Sequence, residues 1–474
     1  MPQQTIVSIF IWKGNLQNAN HFFFVVLHYV TESGMTAYTL DMVADRLNLS
    51  LKIVRRYVAA GALVAYKERS RYVVYESDLK DFEQTGKPQS IKSDKPHSSK
   101  SGRKGVDNTQ LLLFDLAPYV SEKKDRPSKN SASTDDVNWA DISPYWGNVG
   151  HSDLTFIDLF CGAGGLSRGL EMAGLNGICG LDFFKEAGLT YRRNFKHPFV
   201  YGDITKPEIK AELYKTVSEQ LAGRRLNVIS GGFPCQGFSM AGNRIADDPR
   251  NALYKEMLEI VRTLQPDFVL CENVKGLRSM LGGAVEKKII ADYKAIGYEM
   301  NVTTLCAADY YTPQKRERVI FIGNRHGLKN YHPKPILSPD EYITTGQAIG
   351  DLQNHPEDPG FNHIPTRHNA EMQRRIMECP EGESLYKGYS DAWKKCPWNE
   401  ASCTVKENHG GVNLHPKLPR VLTAREMARL QSFPDDFIFE GPKNKQLVQI
   451  GNAVPCLLAK AIGLAIRVAA NELQ

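Results

Sequence analysis

Along the chain the apolar positions change their period several times, and each change predicts an element. Residues 1–34 are apolar and Asn-rich without a clean period and stay unassigned. Met35 opens the first regular stretch and is an alternative start of translation. From Thr39 to Leu47 apolar residues recur at helical spacing, with Thr39 as N-cap. Leu51–Val58 repeats that pattern until Gly61 ends it. Tyr66–Tyr75 alternates like a short hairpin, and a short helix closes the segment at Asp78-Leu79. From Gln84 to about Asn138 the composition shifts to Ser, Lys, Pro, Asp and Gly, which predicts a flexible basic linker. One apolar island, Gln110-Leu111-Leu112-Leu113-Phe114, interrupts it. Beyond Leu154 the short apolar runs Leu154–Phe160, Leu226–Ser230 and Asp267–Cys271 read as strands of a parallel sheet, and a fourth segment leads into Val319–Gly323. Leu166–Met172 reads as a helix, and Leu457–Ala470 as an apolar helix packing back onto the sheet. The fold class is α/β.

Composition narrows the class further. A chain of 474 residues predicts two to four domains, and 42% hydrophobic with 24% charged residues is ordinary for a globular protein. Phe22–Leu27 is far short of the ~18 apolar residues that a membrane span needs, and it has no basic leader. Nine cysteines without a Cys-x-x-Cys pair argue for a reducing compartment. The expected location is cytoplasmic and nucleoid-associated, with no membrane. A net charge of +6 is compatible with a nucleic-acid partner. Two helices, a tight turn and a basic wing over residues 35–83 resemble the winged helix-turn-helix domains of excisionase and MerR-type regulators. That resemblance implies that Lys52, Arg55, Arg56, Arg69 and Arg71 face DNA phosphates. The alternative is a helical packing module with solvated basic residues. The island Gln110–Phe114 resembles the Gln-Leu-x-Leu-Phe peptide that binds the bacterial sliding clamp; docking on its own protein is the alternative.

The chemistry concentrates after Leu154. A strand, the turn Cys161-Gly162-Ala163-Gly164-Gly165 and a helix make a recipe for a nucleotide-type ligand, with Asp182 as the acidic partner of ribose hydroxyls. No third glycine completes a pyrophosphate fingerprint, which tilts against NAD. Next comes Gly231-Gly232-Phe233-Pro234-Cys235-Gln236-Gly237-Phe238-Ser239, which places a cysteine past a strand end, where a nucleophile can stand. Glu272-Asn273-Val274 and Gln314-Lys315-Arg316-Glu317-Arg318 follow. Singly, these read as a buried thiol, a helix-start carboxylate and a surface charge run. In this order, with Arg420–Phe437 and Gly451-Asn452-Ala453-Val454-Pro455, they closely resemble the cytosine-5 DNA methyltransferases. Tyr311-Thr312 is a mild departure.

That resemblance implies a Rossmann-like S-adenosylmethionine-dependent methyltransferase sheet with helices on both faces and a small target-recognition domain. It implies that Cys235 adds to C6 of cytosine, that Glu272 shares a proton with N3, and that Arg316 and Arg318 hold O2 and the backbone. S-adenosylmethionine would lie against Phe160, Gly162, Gly164, Asp182, Phe183, Asp203, Ile204, Pro234 and Asn452. Gln236, Ser239 and Thr404 would touch DNA, and the loop from Gln236 to about Asp248 would close over a flipped base. Cys379, Cys396, Cys403 and His409 do not have zinc spacing, so no metal is expected. The predicted divisions are 1–34, unassigned; 35–83, helix-turn-helix; 84–150, linker; 151–324, catalytic; 325–420, target recognition; and 421–474, the catalytic C-terminal part. The expected protein is a monomeric DNA (cytosine-5)-methyltransferase acting on a short duplex site, in a restriction–modification or solitary system. A transcriptional autoregulator bound to its own promoter and an RNA cytosine-5 methyltransferase are the rival readings.

Overall fold

The computed structural model describes residues 7–11, 25–30, 36–47, 65–68, 71–77, 137–234, 252–386, 393–406 and 412–473, with single positions 54, 58, 63 and 79. The chain divides into two compact units, 1–108 and 109–474. In the first, strands β1 (Val7–Ile11), β2 (Val25–Val30) and β3 (Thr36–Thr39) precede helix α1 (Leu40–Arg46) and the hairpin β4 (Tyr66–Glu68) and β5 (Arg71–Tyr75). The sheet order is β1-β2-β3-β5-β4, with every pairing antiparallel. The anticipated first helix and hairpin are present, around a core of Tyr38, Val43, Ala44, Val54, Leu63, Val74 and Leu79. Two strands come from residues 1–34, where no period had predicted them. Arg55, Arg56, most of the linker and Gln110–Phe114 lie outside the described residues.

The second unit is built on a seven-stranded sheet of order β12-β13-β11-β10-β7-β8-β9. After the short strand β6 (Asn138–Ala140), which lies outside this sheet, its strands are β7 (Thr155–Leu159), β8 (Asn176–Asp182), β9 (Phe199–Tyr201), β10 (Val228–Gly231), β11 (Phe268–Val274), β12 (Glu299–Cys306) and β13 (Glu317–Asn324). Six run parallel, and β13 alone is antiparallel to its neighbours. Successive side chains take opposite faces, as the two-residue period of a strand requires. Ile157, Ile229, Val269 and Phe321 enter one core. Phe156, Val228, Phe268 and Ile322 enter the other. Helices α4 (Pro207–Leu221), α5 (Ala252–Leu264) and α6 (Ala284–Ala295) cover the first face through Leu213, Tyr254, Met257, Val261 and Ile289. Helices α2 (Gly165–Met172) and α11 (Cys456–Ala470) cover the second.

Between these lie α3 (Lys185–Asn194), α7 (Thr345–Ile349), α8 (Ala370–Glu378), α9 (Ala424–Leu430) and α10 (Lys443–Asn452). A third core joins residues 349–456 to Cys161, Ala163, Tyr191 and Phe195. A capping box starts α9: Thr423 Oγ1 accepts from Glu426 N (3.2 Å) and Glu426 Oε2 from Thr423 N (2.8 Å). The stretch Lys443–Leu473 is long and apolar enough to cross a membrane, but 72% of its most apolar window is buried inside this fold. It is a core element, and α11 packs back onto the catalytic sheet as its apolar pattern predicted.

The approach of α2 to α11 depends on Gly169. A Cβ there would stand 2.3 Å from both Cys456 O and Ala459 Cβ. Alanine gains ~1 kcal/mol of helix propensity over glycine, which is too little to offset a clash with a main-chain carbonyl. Gly169→Ala is therefore expected to cost about 1–3 kcal/mol in a urea melt. An unchanged midpoint would mean that the helices separate easily.

Candidate active site

The parallel register brings four strand ends to one edge. Leu159 pairs with Leu181 on one side and Gly231 on the other, and Gly231 pairs with Cys271. The chain order reverses between β7 and β10, where open α/β sheets bind ligands. Phe160 follows β7 with φ +57°, and Gly162 turns the chain at φ +52°, with open space where a side chain would stand. Asp182, at the end of β8, holds this loop: its Oδ2 accepts from Gly162 N and its Oδ1 from Phe184 N, both at 2.8 Å. Burial raises the Asp182 pKa, against those main-chain donors. Beside it Phe183 is 66% exposed, an unusual position for a large aromatic unless a ligand covers it. Asp203 lies just past β9, exposed, its Oδ1 fixed by Thr205 N and Oγ1. Ile204 is core, at 3% exposure. Pro234 lies just past β10, and Asn452 is exposed at the end of α10. A bare aromatic face, a buried carboxylate and an open glycine turn at one edge fit S-adenosylmethionine, whose adenine, ribose hydroxyls and methionine part need those three surfaces.

Beneath the glycine loop sits a group that pattern reading missed. Asp158, in mid-strand β7, is 1% exposed and accepts from Ser167 Oγ (2.6 Å) and Ser230 Oγ (2.9 Å). Ser167 Oγ also meets Tyr191 OH at 2.9 Å. A lone acid inside an apolar strand was the available signal. Burial pushes its pKa up to about 6, against the two serine hydroxyls.

Across the switch point, Glu272 lies near the end of β11, between the buried Cys271 and Asn273. Its Oε1 meets Arg318 Nε at 2.8 Å, and both side chains are nearly buried. A Cβ on Gly232 would stand 3.0 Å from Glu272 Oε2, so the backbone just past β10 passes directly against the carboxylate. Asn273 secures that stretch, donating from Nδ2 to Phe233 O (3.0 Å). Sequence reading had quoted Asn273 within a motif without giving it a task. Cys235, Gln236 and Ser239 lie outside the described residues.

The two arginines expected to act together stand in different surroundings. Arg316 is 2% exposed, and its guanidinium donates to Val405 O (2.9 Å), Gly451 O (3.0 Å) and Ala453 O (3.1 Å). Burial lowers its pKa, with the like charge of Arg318 adding to the effect. Gln314, also buried, accepts from Val405 N (2.8 Å) and donates to Gln431 Oε1 (2.8 Å) and Leu430 O (2.9 Å). Gln431 Nε2 passes the chain on to Ile450 O at 2.8 Å. Thr404 is thereby fixed beside the catalytic edge, donating from Oγ1 to Lys315 O (3.2 Å). The structure thus joins the cofactor-side residues, Glu272, Arg316, Arg318, Thr404 and the segment around Asn452 in one contiguous region. Among the described residues no group of three or more His, Cys, Asp or Glu side chains could hold a metal.

The Asp158 pKa has a sign that can be tested. An acid raised from 3.8 to about 6 contributes stability fully present below pH 3.8 and lost as pH rises through 6. The displacement corresponds to about 3 kcal/mol. Asp158→Asn does not titrate, so its stability relative to wild type is expected to rise by up to about 3 kcal/mol between pH 4 and pH 7. Chemical denaturation at stepped pH measures this; a constant difference would refute the buried-acid assignment.

Known proteins match this architecture. The family model for C-5 cytosine-specific DNA methylases matches residues 154–467, from β7 through most of α11. The Type II methyltransferase M1.HphI of Haemophilus parahaemolyticus is 38% identical over 329 residues, covering 66% of this chain and 86% of its own length. M.DdeI of Desulfomicrobium norvegicum, also a Type II methyltransferase, is 34% identical over 381 residues, covering 65% and 87%. A prophage-encoded DNA modification methyltransferase of E. coli superposes with a TM-score of 0.55 at 27% identity, covering 67% of this chain and all of the other. With a family match across about two thirds of its length, on a mostly parallel methyltransferase sheet, the chain belongs to the C-5 cytosine-specific DNA methylases and transfers a methyl group from S-adenosylmethionine to C5 of cytosine in DNA.

Proposed function

We propose that the chain methylates one cytosine within a short duplex site, as the modification partner of a restriction enzyme or as a solitary methylase. The observation that carries the residue assignment is the Glu272–Arg318 pair at 2.8 Å, under the loop that leads into Cys235. C5 of cytosine is a weak nucleophile. A Cys235 thiolate adding to C6 makes the ring an enamine, and the added electron density reaches C5. Glu272 assists by sharing a proton with N3, and Arg318 holds both that carboxylate and the base O2. Arg316 acts one layer further in as a positioning residue, since its Nη1 and Nη2 already meet main-chain carbonyls. Bound S-adenosylmethionine supplies the electrophilic methyl group. Loss of the C5 proton to solvent then lets the Cys235 sulfur leave, restoring the aromatic ring.

A base inside a duplex is out of reach, so the target is flipped out, with Gln236, Ser239 and Thr404 in contact with DNA. Residues 325–420 are the recognition region that reads base edges. The chain acts as a monomer where the DNA is, in the nucleoid. A second reading coexists with this one. The first unit serves as a winged DNA-binding module, with Arg55 and Arg56 on phosphates, and represses its own promoter. The β4–β5 hairpin and α1 around a shared core favour it. Gln110–Phe114 would add a sliding-clamp contact.

Cys235→Ser is expected to lower methyl transfer by at least 10⁴-fold, about 5.5 kcal/mol of barrier, while leaving DNA binding intact. Retained turnover rules out the thiolate route. Bisulfite or nanopore sequencing of DNA from a methylation-deficient host expressing the chain is expected to show one recurrent methylated cytosine context; its absence refutes the short-site reading. Deleting residues 1–84 is expected to preserve methylation and abolish footprints on the gene's own promoter. Unchanged footprints remove the repressor reading.

A further inference from the structure

The proposed recognition region holds two thiols in direct contact. Cys396 Sγ and Cys403 Sγ lie 3.8 Å apart, one completely buried and the other half-buried. Two thiols cannot complete a metal site, and no third ligand group stands with them among the described residues. Their surroundings are asymmetric. Cys403 Sγ accepts from Asn413 Nδ2 at 3.2 Å and shares a proton with Cys396. The hydrogen bond with Cys396 lowers the Cys403 pKa against burial, and Lys394 lowers it further. Of the eight described cysteines, the other seven are shifted upward. The thiolate is the reactive form, so the more acidic and more exposed member of the pair is the one an oxidant meets first.

We propose that Cys403 and Cys396 form a reversible disulfide in response to peroxide, and that its closure weakens DNA binding. The Cys403 thiolate attacks one oxygen of hydrogen peroxide, becoming a sulfenic acid as the other oxygen leaves as water. Cys396 then attacks the sulfenic sulfur, loses its proton and expels a second water. Overall two thiols are oxidised and one peroxide is reduced to two waters. The bond needs about 2.05 Å between sulfurs, so closure draws Cys403 inward. It also repositions the sulfur to which Asn413 donates. Both neighbours of Cys403 are tied to the catalytic edge: Ser402 N donates to Pro313 O (3.0 Å), and Thr404 Oγ1 donates to Lys315 O (3.2 Å). A pull on Cys403 therefore reaches the loop ahead of Arg316. This effect rests on the reading that Thr404 and its surroundings face DNA.

The test uses the full chain carrying Cys235→Ser, so that oxidation of the proposed nucleophile does not enter. After hydrogen peroxide, peptide mapping is expected to show a 396–403 cross-link two mass units below the dithiol, which dithiothreitol reverses. Affinity for a synthetic duplex carrying the site mapped by sequencing is expected to fall about ten-fold on oxidation and to recover on reduction. Adding Cys403→Ser is expected to abolish both the cross-link and the response. Cys396→Ala provides the same test should serine at 403 disturb folding. Absence of the cross-link overturns the thiol chemistry whatever the DNA result, and a cross-linked protein of unchanged affinity overturns the regulatory effect. Failure of the reduced protein to bind the duplex counts against the DNA-facing assignment instead.

Discussion

The side chains of Gln314 and Gln431 meet at 2.8 Å in a space closed to water, and from them hydrogen bonds reach Val405, Leu430 and Ile450. Arg316 runs alongside and grips carbonyls from the same two regions. Three stretches far apart in sequence are welded by amides and one guanidinium in place of apolar contacts. Such groups are costly to bury unless nearly all their hydrogen bonds are made. The same requirement gives the junction its directionality: an apolar interface tolerates sliding, whereas this one closes in a single register. Thr404 and the Asn452 segment inherit their positions from it.

The two arginines of one short motif illustrate how neighbours in sequence divide between support and chemistry. Arg316 and Arg318 are two residues apart on an extended segment, a spacing that ordinarily puts side chains on the same face. Arg316 finds main-chain carbonyls at every close approach, neutral acceptors that fix it without discharging it. Arg318 finds a carboxylate, a charged and bidentate-capable partner. A carbonyl-bound arginine is a strut. A carboxylate-bound arginine at a strand end can exchange partners when a polar ligand arrives.

Much of this was legible in the linear sequence because ligand-facing edges of parallel sheets follow strict rules. The Gly162 turn, Asp182 at the next strand end, Glu272 and the loop before Cys235 all follow from strand, glycine and acid in order. The central sheet and the C-terminal apolar helix were legible for the same reason. What stayed hidden depends on distant partners. Nothing local marks Gln314 as the mate of Gln431, or sets Arg316 apart from Arg318, since each choice is made by residues distant in the sequence. Asp158 was masked by its apolar neighbours in β7, and β1 and β2 by the absence of alternation in residues 1–34. Residues 325–420 carry few regular elements, so periodicity had little to detect there.

The closing of the sheet by its own C-terminal helix has a consequence in time. Arg467 donates to Ala173 O across 294 residues, and Val454 O lies where a side chain on Gly165 would otherwise stand. The glycine loop is thus walled on one side by residues nearly three hundred positions further along the chain. Contacts of such long sequence separation slow folding, because the intervening chain must be ordered before they form. During synthesis β7 and its glycine loop emerge early but stay open on that side until α11 has also emerged and docked. The edge beside the loop is therefore finished in one late step, well after the strands that define it.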